Sequence, residues 1–568
     1  MNRSRSSPAV AFAVGCLAVS ITQSGIAAGS NSDPQRSCAG LKDMYIKPQS
    51  IGLPTSGAVV TATTFVPATT GADNLGEYCR VEGDIRPVDP TAPNIKFRIN
   101  LPSNWNGKAV QMGGGGYNGV MPNTTTRTTL GLLTPTTAFP SGPTTKPAPL
   151  ALGYMTFAGD SGHQGRNADD ASFGLNDEAV VNFGYMHIKK TRDVAVEIAN
   201  ARYGTKPKRM YFSGGSTGGR EGLTAALRFP ADYDGILTNY PVANYMGLRL
   251  WGGGLARAIY DNDSEGWIPP VLVTEIANRA NAQCDALDGA ADGLVSNMAA
   301  CRALSSKILA DLSCKKGEVG NITNGYPNCL TQKQIEKTLA IYHQGYTLPY
   351  SFAYGVNNYQ GYNSLEGIVM QIGSQPRPMN PVTTVFNAHH GDRADQFVRY
   401  FVARDPNYSV LNLDIFNPGS RFQDRIIQLS WDLGALNPDY STFMKKGGKI
   451  LWLQGNDDPS VSPYSNIEVY KRIVANMGQK NVDSFLRLYL VPGLAHGGGR
   501  FSPVWDNLAT LDNWVENGVT PPSAPVVYDG TSGSTRGRSR PLCAHPTWPK
   551  YNGSGDQNVW TSFTCVNE

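Results

Sequence analysis

Charge is scarce in this chain. Only 17% of its 568 residues are Asp, Glu, Lys or Arg, and the formal net charge is +4. No dense Lys/Arg run occurs, so the electrostatic footprint of a nucleic-acid partner or a polybasic membrane anchor is missing. Past the N-terminus no segment is apolar enough to span a bilayer as a helix. No internal repeat or low-complexity block stands out. Histidine is rare too, with seven in all, so a reaction needing an imidazole base has few places to find one.

What the chain does have is length, with 40% hydrophobic residues. That suffices for a large core, and for either a second domain or one core with a big insertion. It opens "MNRSRSSPAVAFAVGCLAVSITQSGIAAGS". Arg3 and Arg5 precede an apolar stretch over residues 8–21, followed by small residues near Ala27 and Ala28. Charged, apolar, then small is the order of a secretory signal peptide, here residues 1–28, and implies a secreted or periplasmic protein. Cys16 does not fit a lipid-attachment site, because the apolar run before it is very short and Ala13 is a poor lead residue. Removing Cys16 with the signal leaves eight of nine cysteines. An even count in an exported chain reads as a disulfide framework. The order invites local pairing of Cys38 with Cys79, Cys284 with Cys301, Cys314 with Cys329 and Cys543 with Cys565, although sequence alone does not fix connectivity.

The Thr/Pro-rich residues 122–149 read as a long loop. Over residues 151–229 the pattern alternates. "YMTFAG" is a short strand, "EAVVNFGYMHIKKTRDVAVEIANARYG" has helical periodicity with Gly204 as its stop, "RMYFSG" is a strand and "GGREGLTAALRFP" a helix closed by Pro230. Strand, helix, strand, helix implies a parallel sheet with crossover helices. The grammar disappears over residues 245–438, which are irregular, rich in aromatics and hold four of the mature cysteines. It returns with "KILWLQG", "SPYSNIEVYKRIVANMG" and "LRLYLV". The economical reading is one α/β core interrupted by a long insertion, with a cystine-bounded tail. An insertion at the carboxyl ends of parallel strands lies over the ligand crevice.

Gly214-Gly215-Ser216-Thr217-Gly218 fits G-x-S-x-G between a strand and a helix. In such a turn the central serine is held in a strained conformation, and glycines two positions away on each side avoid collisions with neighbouring backbone. Among the histidines, His187 and His343 fall inside helical patterns, His389 and His390 lie in the insertion and His545 in the tail. His496 follows "LRLYLV" through "PGLAHGGG", where a base would sit at the sheet's carboxyl edge. The acid is expected between serine and histidine in chain order, and "KILWLQGNDDPSVSP" offers Asp457 and Asp458; position alone does not choose between them. For an oxyanion, the backbone N–H of Thr217 is one donor. The glycines of "AVQMGGGGYNG", Gly113 to Gly116, supply another, with Gly115 and Gly116 as the candidate residues. Separately, "CDALDGAADGLV" sets carboxylates at Asp285, Asp288 and Asp292, and carbonyls of Ala290 and Leu294 could complete an oxygen shell suited to Ca²⁺.

Together, "GDSGHQG", "GGSTGGREGL", "FPADYDGI", "CDALDGAADGL", "KKGGKILWLQGNDD" and "VPGLAHGGG" resemble the tannase and feruloyl esterase family, from about Cys38 to the C-terminus. The resemblance implies an α/β-hydrolase fold: core over 29–244 and 439–568, with a lid domain over 245–438 inserted between nucleophile and acid. It implies Ser216, Asp458 and His496 as a catalytic triad, its G-x-x-D spacing selecting Asp458. It also implies a structural Ca²⁺ at Asp285, Asp288, Ala290, Asp292 and Leu294, and its cysteine spacings match the four bridges above. It departs from the family at Gly215 and Gly497, where bridged members carry cysteines. The activity it implies is hydrolysis of small esters of aromatic acids, of feruloyl, galloyl or terephthaloyl type. Arg399 of the insertion is the expected contact for a free carboxylate. The alternatives are an aliphatic or polyester-oligomer esterase, an acyltransferase, or a non-catalytic Ca²⁺-stabilised binding protein. Oligomeric state stays open.

Overall fold

A computed structural model describes residues 33–71, 74–131, 147–315, 322–323, 326–376, 388–531 and 537–567. The signal-peptide segment, with Arg3, Arg5 and Cys16, lies outside the described residues, as does much of the Thr/Pro-rich loop.

One ten-stranded sheet organises the chain. Its strands are β1 (Tyr45–Ile46), β2 (Ala58–Val66), β3 (Tyr78–Ile85), β4 (Ile95–Pro102), β5 (Lys108–Met112), β6 (Met155–Gly159), β7 (Arg209–Gly215), β8 (Gly235–Asn239), β9 (Lys449–Gly455) and β10 (Leu486–Val491). The spatial order is β1-β2-β3-β4-β6-β5-β7-β8-β9-β10. Pairing is antiparallel from β1 through β4 to β6, then parallel from β6 to β10. The antiparallel strand β3 alternates buried and half-buried side chains. The parallel strands β6 and β8 are buried throughout, because crossover helices cover both faces of a parallel sheet.

The long helical pattern before β7 is not one regular helix. Helix α1 (His187–Tyr203) is preceded by a wide π turn, Asn182–Met186. Its physical reason lies in the next helix, α2 (Thr217–Arg228), which packs on β7 and β8. There the fully buried Arg220 donates from Nη1 to Gly184 O at 2.9 Å and from Nη2 to Phe183 O at 3.0 Å. The carbonyls that a wide turn frees from the helical ladder are taken by that guanidinium. Gly204 closes α1 at φ 75°, the left-handed cap that glycine adopts without strain.

Among the described residues between β8 and β9, no strand joins the large sheet. This segment packs as helices, including α3 (Tyr245–Ser264), α4 (His389–Phe397) and α5 (Ser420–Leu433), with α4 lying against α3. Helix α6 (Pro463–Met477) follows β9, and Ser462 caps it by accepting from Ser465 N at 3.1 Å. The structure joins Cys38–Cys79, Cys284–Cys301, Cys314–Cys329 and Cys543–Cys565. Among the described residues no helix is long and apolar enough to cross a membrane.

Candidate active site

Ser216 stands at the end of β7, directly before α2, with φ 58° and ψ −124°. Side chains avoid this region, and such strain persists only where the surroundings over-determine it. The neighbours show why glycine must flank it. A Cβ on Gly214 would fall 2.4 Å from Gly218 O, and one on Gly218 would fall 2.6 Å from Gly114 O. Either substitution would push the nucleophile turn apart.

His496 lies in the loop after β10, and its Nδ1 is 2.9 Å from Asp458 Oδ2 and 3.1 Å from Oδ1. Asp458, in the loop after β9, is fully buried. Its Oδ1 also accepts from Ser460 N at 2.8 Å and Val461 N at 2.9 Å, so the carboxylate is fixed before the imidazole meets it. Asp457 points elsewhere, into an ion pair with Arg500 at 2.6 Å. His187, His343 and His545 take other partners. His187 sits 2.7 Å from Asn182 O, His343 is 3.8 Å from buried Glu366, and the ring of His545 packs on Tyr470.

Ser216, His496, Gly115, Gly116 and Thr217 line one cavity of about 300 Å³. Thr217 N–H opens α2 and is not used by the helical ladder, while Thr217 Oγ1 donates to Gly116 O at 2.6 Å. The glycine loop is held from behind by Glu221 of α2, fully buried. Its carboxylate accepts from Gly114 N at 3.1 Å and also from Asn118 Nδ2. The arrangement places a serine, a carboxylate-bound imidazole and a helix N-terminus at one cavity, the apparatus for acyl transfer through an oxyanion.

The model of the family described as "Tannase and feruloyl esterase" matches residues 79–566. The chain belongs to the tannase and feruloyl esterase family. An uncharacterised esterase of Agrobacterium fabrum is 56% identical over 94% of this chain and 93% of its own. The mono(2-hydroxyethyl) terephthalate hydrolase of Piscinibacter sakaiensis is 28% identical over 88% of this chain and 86% of its own. The crystal structure of feruloyl esterase B from Aspergillus oryzae covers 94% of this chain and 100% of its own, at TM-score 0.72 and 24% identity. That likeness shows the fold, an α/β-hydrolase, and the chain is a carboxylic ester hydrolase.

The insertion of this esterase supplies part of the cavity wall through Leu248, Arg249, His389, His390 and Arg393. Arg399 is not among them. It is buried on the turn after α4 and pairs with Asp395 four residues earlier, so its expected contact with substrate is corrected to a structural ion pair. Arg249, from α3, lies 4.9 Å from the Tyr117 ring centre and 4.7 Å from that of Tyr245. Arg393 reaches Asp169 at 2.6 Å. Burial, then Arg393 and Arg249, pushes His389 down to about 3, and burial lowers His390 well below its ordinary value. Both insertion histidines are therefore neutral at working pH. Arg249 was not visible as a wall residue in sequence, where it is one arginine in an apolar helix.

The acidic loop of the esterase is compact. Asp285 Oδ1 accepts from Gly293 N at 2.8 Å, Asp288 Oδ1 from Ala290 N at 3.0 Å and Asp292 Oδ1 from Leu294 N at 3.0 Å. Asp288 is 1% exposed, its Oδ2 is buried without a partner, and burial pushes the carboxyl up to about 6. An orphaned, buried carboxylate oxygen among hard oxygen donors fits a cation such as Ca²⁺. Arg540 meanwhile holds Asp292 Oδ2. Among the described residues no three His, Cys, Asp or Glu side chains already converge as a metal cluster.

Asp392 of α4 has a buried Oδ1 with no partner, and burial pushes its carboxyl up to about 8 against the pull of Arg393. Folded Asp392 keeps its proton where the unfolded chain has lost it, so stability falls as pH rises from about 4 to about 8. Asp392→Asn is expected to raise the unfolding midpoint by roughly 2–4 °C at pH 8 and to leave it nearly unchanged at pH 4. Melting curves of both proteins across that range check the slope.

Proposed function

We propose that this esterase is exported and hydrolyses small esters of aromatic acids, of feruloyl, galloyl or terephthaloyl type, through an acyl-enzyme on Ser216. The observation that carries the reading is the buried Asp458 carboxylate on His496, at one cavity with the strained Ser216. His496 Nε2 takes the Ser216 proton as Oγ attacks the ester carbonyl, and Asp458 holds Nδ1–H and stabilises the imidazolium. N–H groups of Thr217, Gly115 and Gly116 receive the oxyanion. His496 then gives its proton to the departing alcohol, the acyl group remaining on Ser216. A water attacks that acyl carbonyl and loses its proton to His496; the bond to Ser216 Oγ then breaks, Oγ takes the proton back from His496, and the acid is released.

The substrate class is supported by the activities for which the relatives are named and by the cavity's small size, near the lower end for ligand pockets. Arg249 supplies positive charge at its wall, where Arg393 is paired with Asp169. Export is supported by the signal-like N-terminus and four cystines. The segment 245–438 acts as a lid, since its side chains complete the cavity. Relative rates on feruloyl, galloyl, terephthaloyl and short aliphatic esters test the reading, with product analysis in added alcohol. Preference for an aromatic acyl group, with free acid as product, is the expected result. A dominant rate on aliphatic esters, or transfer to the alcohol, would replace it.

In the same reading Asp285, Asp288 and Asp292, with the carbonyls of Ala290 and Leu294, would hold a structural Ca²⁺. The ion would supply charge neutralisation to the loop and no chemistry at Ser216. Excess chelator is expected to lower the melting midpoint by roughly 3–6 °C, with recovery on adding Ca²⁺. Asp288→Ala should abolish the response. An unchanged melting curve, with no bound metal by elemental analysis, would count against the site.

A further inference from the structure

Tyr240 is the first residue after β8, and nothing in its sequence context marks it. Its N–H donates to Leu453 O of β9 at 2.7 Å, which fixes its backbone between the two strands. Its φ is +35°, on the side of the map that residues with side chains avoid, and strain of this kind gathers at functional sites. The side chain is only 7% exposed.

What surrounds it is the two halves of the reactive pair. The Tyr240 and His496 ring centres are 4.7 Å apart, with planes inclined at 54°. On the nucleophile side, a Cβ on Gly215 would fall 2.7 Å from Tyr240 Cε2 and 2.9 Å from Oη. On the histidine side, a Cβ on Gly497 would fall 3.4 Å from the same Oη. One phenol therefore touches both the residue before Ser216 and the residue after His496. The backbone closes the bracket, since Ser216 N–H donates to Asn239 O at 3.0 Å and Val242 N–H to Ser216 O at 3.1 Å. Glycine at 215 is what leaves the phenol its space.

We propose that Tyr240 is a positioning residue, a wedge between the nucleophile turn and the histidine loop that holds the His496 ring toward Ser216. The wedge is uncharged, because burial, and then the Asp458 charge, push ionisation of the hydroxyl far above the ordinary tyrosine range. The contact with His496 is made by the ring, so the flat ring carries the effect. Misplacement of a reacting group by about 1 Å can lower a rate by about 10²-fold. This inference rests on the reading that Ser216 and His496 react.

The test is steady-state hydrolysis of a p-nitrophenyl ester by wild type, Tyr240→Phe, Tyr240→Leu and Tyr240→Ala, with kcat counted per site titrated by a fluorophosphonate. Phe should stay within about threefold of wild type. Ala should lose kcat by about 30- to 100-fold with KM within about threefold. Leu keeps buried bulk without the flat ring and should also lose kcat, which protects the test if Ala fails to fold. Folded Ala and Leu variants with wild-type kcat, or a loss confined to KM, would overturn the wedge. If Ser216→Ala also kept full activity, the triad reading would fall first. If only Ser216→Ala were inactive, the wedge alone would be wrong.

Discussion

Ser216→Ala is expected to lower kcat/KM by about 10³-fold or more on any ester that wild type cleaves. The loss should fall in kcat, because Ala removes the attacking oxygen and leaves the cavity walls in place. The fold should survive. Ser216 owes its φ of 58° to the bracket of Gly214, Gly218 and Asn239, not to its own hydroxyl, so circular dichroism and the melting midpoint should stay close to wild type. Residual hydrolysis would then measure what the oxyanion donors supply without a nucleophile.

Asp458→Asn should be nearly as severe, about 10³- to 10⁴-fold in kcat. Asp458 Oδ1 accepts from two backbone N–H groups and faces His496 Nδ1 with the same carboxylate. An amide can keep the backbone bonds with its oxygen, but it then turns an NH₂ toward His496 and enforces the tautomer that cannot accept a proton at Nε2. KM should change little, since Asp458 is fully buried and does not line the cavity. Steady-state kinetics on the purified variant, with its melting curve, separates this from unfolding. Asp457→Asn should instead act through its ion pair with Arg500 and spare kcat.

Much of this was legible in sequence where local chemistry is demanding. The nucleophile turn announces itself because backbone within 3 Å of Gly214 and Gly218 admits no Cβ. The strands around it read as apolar runs because both faces of a parallel sheet are buried. His496 was singled out by its place after a strand, and the choice between Asp457 and Asp458 needed the family resemblance, since two adjacent aspartates in one loop look alike until Arg500 takes one of them. The antiparallel strands β2 to β4 carry no catalytic motif to mark them, although "YCRVEGDI" alternates in burial. Arg399 misled for a physical reason. An arginine flanked by aromatics looks free for substrate, and its partner Asp395 lies one helical turn back. Arg249, Glu221 and Tyr240 were invisible because each acts through long-range contacts that periodicity does not encode.

The most direct test of the account is covalent capture. Wild-type protein treated with a fluorophosphonate should take up one phosphonyl group per chain, mapped by peptide mass spectrometry to Ser216, and lose activity in proportion. His496→Ala should slow that labelling by about 10²-fold or more. Labelling at another residue, or full activity in a chain whose Ser216 is fully modified, would contradict it.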